Sequence, residues 1–289
     1  MEQKGKSAMF RQIIIGTAAL FGLASTAQAT VEISTTARGL FSSVRVVGQP
    51  LTSVGPVAPV SGRTSPGYAL NNSAASLAAS VGLGTVSGVT ATLGLNSGAI
   101  ATAASANGTT PLDTTSGSAS ATVNNLEIGL VTSLLGVPTS ILSLTAGQVQ
   151  SVSMVDKLGG TTFLAGGSLF SNLALSVNGS SVFSFGSNAH VAPNFVAFNQ
   201  NGLKVTLNQQ FASNFDNTRI LITNAIGISF TNYLLDGRSL SGSITVGQSL
   251  AELMDSSGDP VPEPASWAQM LAGLGFAGAA ARHRRALRA

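Results

Sequence analysis

Residues 173–185 spell out a β-hairpin. Leu173-Ala174-Leu175-Ser176-Val177 places an apolar side chain at every second position, Asn178-Gly179 follows, and Val182-Phe183-Ser184-Phe185 takes up the alternation again. A two-residue period puts one face of the chain toward a core. Asn-Gly supplies the positive-φ pair that a type I′ turn needs between two strands. The same grammar recurs: Asn201-Gly202 precedes the alternating Leu203-Lys204-Val205-Thr206-Leu207. Ile220 and Ile222, then Ile226, Ile228 and Phe230, keep the period, and Asp236-Gly237 introduces Leu240 and Ile244-Thr245-Val246.

Upstream, Val123 through Val131 and Ile141 through Leu144 read as strands separated by Gly136-Val137-Pro138. Residues 68–122 are rich in Ala, Ser, Gly and Thr, and their alternation through Ala91, Leu93 and Leu95 implies thin strands of small residues. Residues 30–47 hold a strand or two, and the Pro-rich piece Pro50 through Pro66 reads as an extended surface loop. Ser249 to Met254 reads as one or two helical turns, and residues 255–261 as a polar linker. About ten or more short strands with turns every 8–12 residues predict an all-β fold, a β-sandwich. A β-solenoid is the competing architecture, but no fixed repeat period supports it. Aromatic girdles on regular strands, the mark of an outer-membrane barrel, are missing.

The two ends differ from this middle. Lys4, Lys6 and Arg11 precede an apolar run from Ile13 to Ala24, and Ala27-Gln28-Ala29 before Thr30 supplies a small-x-small cleavage pattern. That is a secretory signal peptide over residues 1–29, with its helix in the apolar run. At the other end stand Pro262-Glu263-Pro264, Trp267-Ala268, an uncharged run of 17 residues from Ala265 to Ala281, and Arg282, Arg284 and Arg285. The prolines keep the first part extended and exposed. As a helix the run spans ~25 Å, close to a ~30 Å hydrocarbon core. Trp267 then sits at one interface and the arginines at the other, on the cytoplasmic side. Three glycines and seven alanines make this a better helix for lipid than for water. The domain plan is thus a signal peptide (1–29), an exported β-rich domain (30–254), a polar linker (255–261) and a C-terminal segment (262–289).

The ends also account for the charge. The sequence pI is 9.7, yet residues 30–260 hold seven Lys and Arg against nine acids. No basic patch remains to hold phosphates, which excludes a nucleic-acid partner. Cysteine is absent, so an exported fold must be held by burial rather than by disulfides.

The C-terminal parts closely resemble the PEP-CTERM sorting signal in its PEPxxWA form, which exosortases of Gram-negative bacteria recognise. The residues that carry the resemblance are Pro262, Glu263, Pro264, Trp267, Ala268, Arg282, Arg284 and Arg285. It implies transient insertion in the inner membrane, cleavage near the Pro-Glu-Pro by exosortase, and an association with exopolysaccharide. A second resemblance, to the choice-of-anchor P group of bacterial surface proteins, rests on Gly39-Leu40-Phe41, the Pro-rich piece, Asn172-Leu173-Ala174-Leu175 and Lys204-Val205-Thr206-Leu207-Asn208-Gln209. Asn224-Ala225-Ile226 and Ser243-Ile244-Thr245-Val246-Gly247 extend it. It implies an exported module attached by different C-terminal signals, and it supplies no activity.

Residues that could carry chemistry are few. Once the ends are set aside His190 is the one histidine, so a Ser-His-Asp arrangement would have to use it with Asp156, Asp216 or Asp236. No Gly-x-Ser-x-Gly elbow is present. One His without Cys cannot make a zinc site. Asp255, Ser257 and Asp259 alternate like weak calcium ligands. Isolated acids offer no carboxylate pair for glycoside hydrolysis, and the scattered Thr pairs lack the rows of an ice-binding face. The expectation is a non-enzymatic surface or matrix protein, structural or adhesive, without cofactor or metal. It would lie in the cell envelope, on the surface or in the extracellular matrix. The alternative is a secreted hydrolase acting on an extracellular polymer.

Overall fold

The computed structural model describes residues 30–47, 49, 51–63, 67–86, 88–107, 114–158, 161–235 and 237–256. The signal peptide, with Ala27 and Ala29, and the expected sorting signal and transmembrane helix lie outside these residues. Every regular element described is a β-strand. In chain order they are β1 (Thr30–Val46), β2 (Thr52–Val57), β3 (Val60–Arg63), β4 (Tyr68–Ala74), β5 (Leu77–Val86) and β6 (Val89–Ser97). Next come β7 (Ile100–Ala106), β8 (Thr114–Leu134), β9 (Val137–Leu158), β10 (Thr161–Ser171), β11 (Ala174–Val177) and β12 (Ser180–Ser184). The last are β13 (Ala189–His190), β14 (Phe195–Gln200), β15 (Leu203–Phe215), β16 (Thr218–Leu235) and β17 (Arg238–Ser256).

They form two open sheets. The first runs β14-β15-β16-β17-β1-β2, with β3 also on β1. The second runs β12-β11-β9-β8-β6-β5, with β10 on β9, β13 on β10, β7 on β8 and β4 on β7. The hairpins β16–β17 and β8–β9 face each other across a shared core, which fits the expected sandwich. The Asn178-Gly179 hairpin is present as β11–β12, with φ of 50° and 74° at the two turn residues.

Several expectations need correction. The strands are not all short: β8 has 21 residues, β9 22, β16 18 and β17 19. Ser249–Met254 is not helical; it pairs with β16 from Thr223 to Thr218 as part of β17. That strand also takes in Asp255 and Ser256, the start of the expected linker. The Pro-rich piece contains β2 and β3, both paired to β1. Between β8 and β9 the turn is Leu135-Gly136, and Pro138 lies inside β9 opposite Ser133.

The long strands look short in sequence because each changes face midway. In β8 the buried residues are Ala119, Ala121 and Val123, then Leu126, Ile128 and Leu130. A one-residue slip reverses every later side chain, and it occurs at Asn125, whose φ is +47°. In β9 the buried set passes from Leu142, Leu144 and Ala146 to Val149, Ser151, Ser153 and Val155. Both strands slip at one level, so the pairing continues through Asn124↔Gln148 and Leu126↔Ala146.

The second spine repeats this one hundred residues later. β16 and β17 slip at Asn224–Ala225 and at Gly247, with Asn224↔Gln248 and Ile226↔Val246 in register. Gln148 Nε2 donates to Asn124 Oδ1 at 3.1 Å, and Gln248 Nε2 donates to Asn224 Oδ1 at 2.9 Å. Ser143-Leu144-Thr145-Ala146-Gly147-Gln148 and Ser243-Ile244-Thr245-Val246-Gly247-Gln248 are the matching segments. A repeat therefore exists, of a hairpin rather than of a solenoid rung.

The kink divides the core. On one side large aliphatics fill the space: Leu93, Leu95, Ile128, Leu130, Leu144, Leu203, Ile226 and Ile244. On the other the layers close on small residues, Ala37, Ala119 and Ala121, with buried hydroxyls between them and a separate small apolar cluster of Ile33, Val155, Ala251 and Leu253. Ser153 Oγ lies 2.9 Å from Thr223 Oγ1 and 3.0 Å from the Ser249 carbonyl. Gly166 is tight enough there that an added Cβ would lie 2.5 Å from Thr223 Oγ1.

Candidate functional site

The sequence-derived catalytic candidates are not brought together. His190 is exposed on β13, opposite Leu169 of β10. Asp156 of β9 sits opposite Phe163, six residues back along the same β10 strand and so ~20 Å away. Asp216 occupies the β15–β16 turn with φ of +47°, in the other sheet; Asp236 is outside the described residues. Among the described residues no three His, Cys, Asp or Glu side chains cluster. Of the calcium candidates, Asp255 accepts a hydrogen bond from Lys157 Nζ at 2.5 Å, an ion pair that ties β17 to β9 across the sheets. Ser257 and Asp259 lie outside the described residues.

Geometry points instead to the outer face of the second sheet. β4, β7 and β8 present a polar groove of about 280 Å³ lined by Asn71, Asn72, Ser73, Ala101, Thr102, Ala103, Ser120 and Thr122. Antiparallel register makes the lining regular: Asn71, Ala103 and Ser120 form one row, and Ser73, Ala101 and Thr122 the next. Alanines between the polar residues make the floor low, because nothing projects from β7. Two lining side chains are already engaged below it. Thr102 Oγ1 donates to the Ala58 carbonyl at 2.7 Å, and Asn72 Nδ2 donates to the Pro59 carbonyl at 2.7 Å. Those bonds tie β4 and β7 to the first sheet and hold the rim in place. Asn71, Ser73, Ser120 and Thr122 keep hydroxyl and amide groups turned to solvent, and no lining residue is charged.

Sequence reasoning missed this groove. The stretch from 68 to 122 announces thin strands of small residues, but which of them lie side by side depends on β4 pairing with β7 across the intervening β5–β6 hairpin.

A comparison with known families places the C-terminal end. Residues 260–285 match the PEP-CTERM protein-sorting motif. The match spans Pro262, Glu263, Pro264, Trp267, Ala268, Arg282, Arg284 and Arg285. It marks an exported chain of a Gram-negative-type envelope, with exosortase as the processing enzyme. No curated protein matches the chain. Among solved structures, the crystal structure of Ail, the attachment invasion locus protein of Yersinia pestis, aligns at 10% identity over 76% of this chain and 97% of that one. Its TM-score of 0.13 is too low to support any argument about fold or function.

Proposed function

We propose that this chain is a non-enzymatic protein of the cell surface or extracellular matrix, sorted by its PEPxxWA-type C-terminus and engaging exopolysaccharide through the β4-β7-β8 groove. The observation that carries the reading is the sorting motif at 260–285 joined to a domain whose open groove is polar and uncharged. Rows of hydroxyl and amide groups at strand spacing suit the hydroxyls of a neutral or weakly charged glycan, since each can donate and accept. The low alanine floor admits an extended polymer. The order of features that resembles the choice-of-anchor P group supports a module whose task is placement rather than turnover. Signal-peptidase cleavage between Ala29 and Thr30 would release a domain that begins at the first residue of β1.

The test is equilibrium binding of the purified exported protein to exopolysaccharide isolated from the producing strain. Ala103→Arg fills the groove from its centre without touching the core, and the expected result is at least a tenfold weaker association. Absence of binding by the wild-type protein, or equal binding by the variant, overturns the polysaccharide assignment.

A further inference from the structure

Sheet edges expose unpaired N–H and C=O groups, and soluble proteins usually guard them with charge, proline, bulges or cover. One side of this sandwich follows that rule. β2 contains Pro56, β3 ends in Arg63, and β5 breaks register between Gly82 and Thr85. β4 is covered by β3, because Tyr68 Oη donates to the Gly62 carbonyl at 2.8 Å. The opposite side is bare. There, among the described residues, β13 covers only Leu169 and Phe170 of β10 and β14 only Leu203–Leu207 of β15, which leaves Thr161–Ser168 and Phe211–Phe215 as open edges, two segments without a charge or a proline. Among the described residues no strand pairs with either.

We propose that the protein forms a two-fold dimer in which β10 pairs antiparallel with β10 of a second copy, and β15 with β15, so that both sheets continue across the interface. The hydrogen-bond directions on the two edges lead to it. The Gly166 carbonyl accepts from Gln210 Nε2 at 3.0 Å, so it points away from β9. Backbone groups alternate, which turns those of Thr162 and Leu164 the same way. On β15 the Gln210 N–H donates to Asn194 Oδ1 at 2.9 Å, which turns those of Ala212 and Asn214 outward. Pairing Thr162 with Leu164 of the second copy centres a two-fold axis on Phe163. Pairing Ala212 with Asn214 of the second copy centres one on Ser213.

These two centres coincide. Gln210 meets Gly166, and Ser168 Oγ donates to Asn208 Oδ1 at 3.2 Å, so β10 and β15 run past each other in a fixed step that sets Phe163 over Ser213. One axis normal to the sandwich therefore satisfies both edges at once. A single extended peptide could fill one edge only; a second copy fills both. The dimer would gain about eight backbone hydrogen bonds. It would also cover Phe163, Phe211 and Phe215, which are 55%, 51% and 72% exposed in the single chain. Phe163 would meet its own mate on one outer face, and Phe211 would meet Phe215 of the second copy on the other.

Sedimentation velocity of the purified exported protein across micromolar concentrations tests this directly. The wild type is expected to be dimeric. Phe163→Lys with Ser213→Lys places like charges in contact on the axis, at exposed positions, and should weaken the dimer about a hundredfold. Mixing that variant with Phe163→Glu/Ser213→Glu should restore a dimer, because each position faces itself only across a two-fold. Ser80→Lys, on the β5 edge, should leave the dimer intact. If the paired lysines unfold the chain, Ala165→Lys, exposed beside the axis, is read the same way. A monomeric wild type, a dimer that survives the axial lysines, no pairing in the Lys/Glu mixture, or dissociation by Ser80→Lys each overturns the proposal.

Discussion

Replacing Tyr68 by Phe removes one oxygen, and that oxygen joins the two sheets. Tyr68 lies on β4 of the second sheet. Its Oη accepts from the Thr35 N–H at 3.0 Å, lies 2.8 Å from Thr35 Oγ1 and donates to the Gly62 carbonyl, both in strands of the first sheet. The ring stays in the variant, packed against the small core cluster of Ile33, Val155 and Leu253. What is lost is satisfaction of buried polar groups, since Thr35 has no exposed surface. Each buried group left without a partner costs about 1–3 kcal/mol, and about 3 kcal/mol for the network is the expected loss. For a domain of this size that lowers Tm by about 6–12 °C, measured by circular dichroism, and it should shift the urea midpoint without changing the slope. The pH dependence sharpens the test. Burial raises the Tyr68 pKa above its ordinary value, partly offset by the hydrogen bonds with Thr35. A raised folded-state pKa means that the contribution is fully present below the unfolded value of about 10 and is lost as pH rises through the folded value. The difference in stability between wild type and Tyr68→Phe should therefore shrink in strong alkali. A variant within about 0.5 kcal/mol of wild type at neutral pH, or a gap that widens in alkali, refutes the reasoning.

Three further tests probe the two spines and the β10 strand beside them. Ser153→Ala should cost about 1–3 kcal/mol, because it strands Thr223 Oγ1 and leaves Ser249 Oγ only a long 3.5 Å bond to the Thr223 carbonyl, whereas Ser151→Ala, whose hydroxyl has no partner, should be neutral or stabilising in the same urea titrations. In a double-mutant cycle, Asn224→Ala and Gln248→Ala should couple by about 0.5–1.5 kcal/mol; additive losses would show that the amide pair at the kink contributes nothing. Gly166→Ala should destabilise by about 1–3 kcal/mol through its contact with Thr223 and Leu221. Gly167→Ala next to it meets open space and should lie within about 0.5 kcal/mol of wild type by thermal unfolding.

Local chemistry made part of this fold legible. Asn178-Gly179 announced its hairpin because a type I′ turn needs positive φ at both positions, and Leu203 to Leu207 announced a strand by clean alternation. The long strands were hidden by their own kinks. Asn125, Asn208 and Gly247 adopt left-handed backbone inside continuous strands, and the alternation restarts on the other parity after each. Read locally, each restart looks like a new strand. Ser249–Met254 read as helical because Leu250, Ala251 and Leu253 do not alternate with obvious polar residues. In the structure Leu250 lies on the half-buried outer face, and Ala251 and Leu253 on the core face. The hundred-residue repeat is faint in sequence because its two copies share the kink asparagine and a short Ser-x-Thr-x-Gly-Gln segment but few side chains beyond them. The groove depended on β4 reaching β7 across a hairpin, a non-local pairing that no short window contains. The sorting signal was legible throughout, since its meaning lies in the order of its parts rather than in a fold.

That sorting signal carries the central claim, and mass spectrometry of the protein recovered from cell envelope and culture medium tests it most directly. The mature chain is expected to begin at Thr30 and to end near Pro262-Glu263-Pro264, without Arg282, Arg284 and Arg285. A recovered chain that still ends at Ala289 would contradict it.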